Sequence, residues 1–218
     1  MSRASVRPVG LARFYPIVPD VGWLERIAPL GIATVQLRLK DAAHDEVNRQ
    51  IKRSLDVCRA HGVQLIVNDY WREAIEFGAK FVHLGQEDLA ASDVAAIRAA
   101  GIRIGISTHD EAELAIALAA EPDYVALGPV YETKLKAMKW APQGLARVKE
   151  WRERIDVWAL ARNTAPPPLV AIGGLTPVRA SAVFEAGANT LAVITDFLSH
   201  STPEGRIAEW IAFTEISD

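Results

Sequence analysis

Gln36, Arg38 and Lys40 are spaced by two at the end of an apolar run. Along an extended chain all three point the same way. Two cations and an amide projecting together suit phosphate oxygens, although a solvated strand end with a surface ion pair would look similar. Asn68-Asp69 closes a second apolar run, and Gln86-Glu87-Asp88 follows a third. Asp69 and Asp88 could be a general acid and base, or they could hold a hard divalent cation. Beside Arg38 and Lys40 the second reading is preferred, with Mg²⁺ bridging to a substrate diphosphate, because Mg²⁺ is commonly held by one or two carboxylates plus phosphates and waters. The structural alternative is that both carboxylates cap the helices that follow. Ser107 ends a further run and could donate to phosphate or cap the next helix. Gly173-Gly174 and Ile194-Thr195 end two later runs. Loops of that kind present backbone N–H groups to a monophosphate, and glycine permits the close approach. From Tyr131 to about Gly144 lies a loop carrying Thr133, Lys134, Lys136 and Lys139 without helical period, expected to be a substrate lid rather than a merely solvated basic segment. Two anionic subsites would serve an enzyme that joins a diphosphate-activated fragment to a phosphorylated acceptor.

The elements that must position these residues alternate. Strands are expected at 13–18, 33–38, 64–68, 80–84, 102–107, 123–128, 168–173 and 190–194. Most are near-continuous apolar runs, as in parallel strands covered by helices. Helix starts are read at Ser92, at Thr108 with Glu111 as a capping box, at Thr176-Pro177 and at Thr202-Pro203. Gly101 and Gly187 read as stops. Residues 159–167 with Pro168 read as a Pro-rich connection on the inert face. Each strand is followed by a helical pattern, so the expected fold is an α/β (β/α)₈ TIM barrel, one domain over 13–218 after an N-terminal extension at 1–12. A doubly wound sheet is the rival.

Composition fits that picture. The chain has 218 residues, 50% hydrophobic and 23% charged, with net charge −3. That excludes a disordered chain and argues against a nucleic-acid or membrane-surface protein, which would need a basic excess. Cys58 is the single cysteine, so no internal disulfide or Cys-rich zinc site is available; it is expected to be a buried apolar residue. His44, His61, His83, His109 and His200 show no metal-ligand spacing, and Trp71 is expected only to pack the rim. With no signal peptide and no long apolar run, a cytoplasmic protein acting on small molecules is the expectation, with no membrane or nucleic-acid partner and a homo-oligomer possible.

The segments QLRLK (36–40), VNDYWR (67–72), VHLGQEDL (82–89), GISTH (105–109), LGPVY (127–131), APQGL (141–145) and VAIGG (170–174) resemble the thiamine-phosphate synthase family, in order and spacing, over about residues 13–198. The resemblance implies a transferase that joins 4-amino-5-hydroxymethyl-2-methylpyrimidine diphosphate to 4-methyl-5-(2-phosphoethyl)thiazole, giving thiamine phosphate and diphosphate by a dissociative route. It implies Gln36 and Asn68 as pyrimidine contacts, and Arg38, Lys40, Asn68, Ser107 and Lys136 as diphosphate ligands. It implies Asp69 and Asp88 as Mg²⁺ ligands, Thr133 as a substrate contact, and Gly174 with the Ile194-Thr195 backbone as the thiazole-phosphate site. The chain departs from the family pattern at Leu135, where a threonine is usual, at Leu39, often glutamate, and at Thr195, usually serine. Leu135 keeps open a non-catalytic paralogue that binds a thiamine precursor. The related thiazole tautomerases carry a catalytic histidine where this chain has Pro129.

Overall fold

A computed structural model describes residues 10–133 and 140–216. The expected extension at 1–12 lies mostly outside the described residues, and Lys134, Leu135, Lys136 and Lys139 of the loop lie wholly outside them. Eight parallel strands close in sequence order into one barrel: β1 (Phe14–Val18), β2 (Thr34–Leu37), β3 (Gln64–Asn68), β4 (Phe81–Leu84), β5 (Arg103–Thr108), β6 (Tyr124–Leu127), β7 (Leu169–Ile172) and β8 (Thr190–Val193). Every strand lies within one residue of its expected ends. Around them run α1 (Val21–Ile27), α2 (His44–His61), α3 (Trp71–Phe77), α4 (Gln86–Ala91), α5 (Val94–Ala99), α6 (Glu111–Ala119), α7 (Gly144–Arg162), α8 (Pro177–Glu185), α9 (Thr195–Leu198) and α10 (Pro203–Ile216). No helix among the described residues is long and apolar enough to cross a membrane.

The strands look continuously apolar because both of their faces are covered. Val35, Leu37, Val67, Val82, Ile104, Leu127 and Leu191 belong to the layer between barrel and helices, with Trp151 of α7 and Trp210 of α10. Tyr15, Ile17, Ile66, Phe81, Tyr124, Ala126, Val170 and Ala192 fill the barrel. Period-two alternation therefore separates two cores rather than core from solvent. Polar residues on the same strand faces as the barrel filling, Gln36, Asn68 and His83, are buried too.

Three local expectations are corrected. Ser92 does not start α5: Asp93 is the cap, accepting from Ala96 N, while Ser92 Oγ donates to Leu89 O at the end of α4. The Thr108 capping box lies two residues further on. Asp110 accepts from Glu113 N, and Glu113 Oε2 accepts from His109 N. Thr108 is still in β5, its hydroxyl donating to Ala126 O and accepting from Trp151 Nε1. Finally, α7 runs through Ala159–Arg162 and ends at Asn163 in the left-handed conformation, φ 53°, so the Pro-rich connection is only 163–168. Thr176-Pro177 and Pro203 open α8 and α10 as expected.

Candidate active site

At the C-terminal ends of the strands lies a cavity of about 490 Å³. Its wall includes Arg38, Lys40, Ser107, Thr133, Gly174, Ile194 and Thr195. One side is built from side chains after β2 and β5. The opposite side is built from the backbone of the turns after β7 and β8. There Gly173 and Gly174 have φ of 98° and 63°. The start of the β6–α7 loop presses directly on them: Tyr131 N donates to Gly173 O at 3.1 Å, and a Cβ on Gly174 would lie 2.4 Å from Glu132 O. Only glycine fits both the conformation and the gap.

Beyond Arg38 lie the two carboxylates. Asp69 follows β3 in the left-handed region, φ 66°. Neither acid caps a helix. The cap of α3 is Tyr70, that of α4 is Gly85, and Asp88 sits inside the first turn of α4. Asp69 accepts from Asn68 Nδ2 at 2.5 Å. Burial pushes its carboxyl up to about 6, reinforced by the charge and hydrogen-bonding contact of Asp88, while Arg38 and Asn68 act in the opposite sense. Asp69 and Asp88 are near enough for the charge of one to raise the other, and such a crowded pair of hard oxygen donors is one that a divalent cation would relax. Among the described residues no group of three or more His, Cys, Asp or Glu side chains could hold a metal. Two carboxylates completed by substrate oxygens and water are a donor set that could hold Mg²⁺.

Ser107 does not cap a helix. Its Oγ is 2.7 Å from His83 Nε2, and His83 Nδ1 is 2.7 Å from Tyr124 Oη. The Tyr124 hydroxyl also meets Tyr15 and Gln36. Arg38, Lys40, Ser107, Thr133, Gly174, Ile194 and Thr195 are thus brought to one cavity. Gln36, Asn68, Asp69 and Asp88 are not in the cavity lining: Gln36 is buried at the Tyr124 hydroxyl, and Asn68, Asp69 and Asp88 form a group that the Arg38 charge reaches through Asp69.

A model of the family described as thiamine monophosphate synthase matches residues 15–197. The chain belongs to that family. A thiamine-phosphate synthase of Rhizobium etli is 53% identical over 92% of this chain and 94% of its own length. One from Salmonella choleraesuis is 42% identical over 94% and 92%. Among solved structures, a thiamine phosphate pyrophosphorylase from Pyrococcus furiosus superposes with TM-score 0.76 at 23% identity, covering 94% of this chain and 96% of that one; at that identity it supports the fold.

For this member of the thiamine monophosphate synthase family, sequence reasoning passed over His83, Tyr124 and His109. His83 is buried, and burial followed by the Arg38 charge lowers its pKa to about 4, which favours the neutral ring. Burial raises both Tyr15 and Tyr124 above the ordinary tyrosine value, so their hydroxyls stay protonated. The Tyr124 ring needs the space opposite: a Cβ on Gly105 would lie 2.0 Å from it. That glycine in mid-strand, flanked by isoleucines, was the available signal. His109 lines the cavity, its Nδ1 2.7 Å from Glu113 Oε2 and its ring stacked on Trp140 at 5.4 Å. Gln143 Nε2 donates to its carbonyl at 3.0 Å, so both ends of the lysine-bearing loop are stitched to the barrel rim.

Proposed function

We propose that the cavity binds 4-amino-5-hydroxymethyl-2-methylpyrimidine diphosphate on its β2–β5 side and 4-methyl-5-(2-phosphoethyl)thiazole on its β7–β8 side, and joins them to thiamine phosphate. The observation that carries this reading is Arg38. It lines the cavity and its charge also reaches Asp69 and His83, so one guanidinium links the carboxylate pair, the buried polar chain and the substrate space.

The chemistry breaks the bond between the pyrimidine methylene and the diphosphate oxygen. The electron pair leaves with the diphosphate, and the amino group stabilises the methylene cation by donation through the ring. The thiazole nitrogen then uses its lone pair to form the new C–N bond. Such a path asks for charge stabilisation and positioning rather than a nucleophile. Arg38 and Lys40 take the growing negative charge through charge-assisted bonds. Gln36 and Asn68 orient the pyrimidine. Ser107 donates to a phosphate oxygen. In the tautomer with its proton on Nε2, neutral His83 donates to Ser107 Oγ and accepts from Tyr124 on Nδ1, which frees the serine proton for phosphate. Asp69 and Asp88 would hold Mg²⁺, which when bound supplies further neutralisation of the diphosphate. Thr133 and the backbone at Gly174 and Ile194-Thr195 seat the thiazole phosphate. Lys136, outside the described residues, is assigned to the diphosphate by the family pattern alone.

The test is direct. Purified protein is incubated with both substrates and Mg²⁺, and thiamine phosphate is sought by mass and by conversion to its fluorescent oxidation product. Formation of thiamine phosphate dependent on both substrates is the expected result. Tight binding of either without product would replace the reading by that of a precursor-binding paralogue.

A further inference from the structure

Asp196 is out of place if the β7–β8 side of the cavity receives a phosphate. It lies on the cavity wall next to Thr195, where an unpaired carboxylate would repel the ligand. Its two oxygens are fully engaged from α10. Arg206 Nε donates to Oδ2 at 2.7 Å and Arg206 Nη2 to Oδ1 at 2.9 Å, a two-point grip, and Trp210 Nε1 donates to Oδ2 at 2.8 Å. All three nitrogens of Arg206 are engaged within this cluster, since Nη1 donates to Glu209 at 2.6 Å. The cavity lining includes Asp196 but not Arg206, so the guanidinium is not placed as a phosphate ligand. Trp210 is fully buried and lies flat on Phe14 of β1 at 5.1 Å. The partners of Asp196 are thus fixed to the barrel itself.

The turn they hold is otherwise weakly secured. α9 has four residues, and Ile194 offers no side-chain cap. Apart from the carboxylate, its side-chain anchors are Phe197, buried against the Trp23 ring at 6.0 Å, and the partly buried Leu198. A planar two-point bond fixes orientation as well as distance, which a single contact does not.

We propose that Asp196, Arg206 and Trp210 form a positioning unit for the phosphorylated acceptor: the grip on Asp196 holds the 194–196 backbone where it meets the phosphate, and Arg206 cancels a carboxylate charge that would otherwise face it. This rests on the assignment of the thiazole phosphate to this side of the cavity. None of the three residues is placed in contact with a substrate.

The two roles predict an unusual order of variants. Arg206→Ala leaves Asp196 charged beside the phosphate and is the most damaging. It raises KM for the thiazole phosphate about 30-fold, the scale of one unit charge repelling another across several ångströms at an intermediate dielectric. Asp196→Asn removes the charge and keeps an acceptor for Trp210, so its KM rises much less. Adding Asp196→Asn to Arg206→Ala recovers most of the loss. Arg206→Lys keeps the charge without the fork and falls between. Steady-state kinetics of the full chain give KM for the thiazole phosphate and for the pyrimidine diphosphate. Inhibition by the unphosphorylated thiazole alcohol gives its Ki. Expected are shifts in the thiazole-phosphate KM alone, with kcat, the pyrimidine-diphosphate KM and the alcohol Ki unchanged. An alcohol Ki that moves in step with the phosphate KM means a generally slackened wall and overturns the proposal. So does a double variant no better than Arg206→Ala. Should Arg206→Ala not fold, Arg206→Lys carries the same comparison of KM against Ki. A wild-type protein that binds alcohol and phosphate equally well removes the phosphate assignment, and the proposal with it.

Discussion

On the proposed function the two sides of the site would meet anions by different means. After β2, β3, β4 and β5 the work would fall to side chains: Arg38, Lys40, Asn68, Asp69, Asp88 and Ser107. After β7 and β8 it would fall to backbone, with Gly173 and Gly174 in the left-handed region and a turn at 194–195. A leaving diphosphate gains charge during reaction, so side chains with full charge act where the charge changes. A phosphate on the acceptor keeps its charge throughout, and backbone N–H groups suffice to seat it. The first side should therefore be sensitive in kcat and the second in KM and stability.

Arg38→Ala should sharpen this contrast most. If, as proposed, the guanidinium meets charge that develops in the transition state, kcat should fall about 10²-fold or more, the scale for one preorganised donor. The melting temperature should hardly move. An effect confined to KM would mean that Arg38 binds ground state and transition state alike, and the contrast would fail.

Removing either carboxylate is next. Asp69→Ala or Asp88→Ala should raise the Mg²⁺ concentration for half-maximal rate by at least about tenfold, since even residues that only support a metal ligand cost 10–100-fold in affinity. Without metal, Asp69→Asn should melt no lower than wild type, because it relieves two crowded acids. Normal rates at low Mg²⁺ in the double alanine variant would remove the metal assignment.

On the backbone side, Gly174→Ala forces a side chain into φ 63° and against Glu132 O. A non-glycine residue held in the left-handed region costs of order 1–3 kcal/mol before any clash. The melting temperature should drop by about 4 °C or more for a chain of this size, and KM for the thiazole phosphate should rise with kcat little changed. A stable Gly174→Ala protein with a kcat defect would erase the difference between the two sides.

That contrast also explains what was legible in the sequence. The strands were visible because both faces of each are buried, which leaves apolar runs. Arg38 and Lys40, which line the cavity, stood out because charge at the end of such a run has no packing role; the same reasoning singled out Asp69 after β3 and Asp88 in the first turn of α4 as candidates. His83 was not, since a lone histidine on a strand reads the same whether it faces the barrel or the helices. Its partners Ser107 and Tyr124, and the Tyr15 and Gln36 that meet the Tyr124 hydroxyl, come from four other strands, and no local spacing records that. Thr108 misled for a related reason: its hydroxyl is consumed by Ala126 O and Trp151, contacts distant in sequence. Asp196 escaped notice because Arg206 and Trp210 belong to the next helix. The Pro-rich tract at 166–168 made the end of α7 look irregular, whereas Asn163 stops the helix by turning left-handed.

The smallest expected effect tests whether the side-chain half is set from inside the barrel. Tyr124 is fully buried, and its hydroxyl stands among Tyr15, Gln36 and His83. Tyr124→Phe keeps the ring that fills the space opposite Gly105 and removes the hydroxyl alone. His83 Nδ1 then loses its donor, and the tautomer with the proton on Nε2 loses its advantage. In the other tautomer the serine hydroxyl donates inward to Nε2 and no longer to phosphate. One neutral hydrogen bond is worth roughly 0.5–1.5 kcal/mol net, so kcat should fall by up to about tenfold. KM for the thiazole phosphate should not change, because that ligand meets the other side of the cavity. Ser107→Ala measured in both backgrounds supplies the check. If Tyr124 acts through Ser107, Tyr124→Phe should have almost no further effect on kcat once the serine hydroxyl is gone. Additive losses would mean that the buried chain only packs the barrel, and that Ser107 finds its orientation without it.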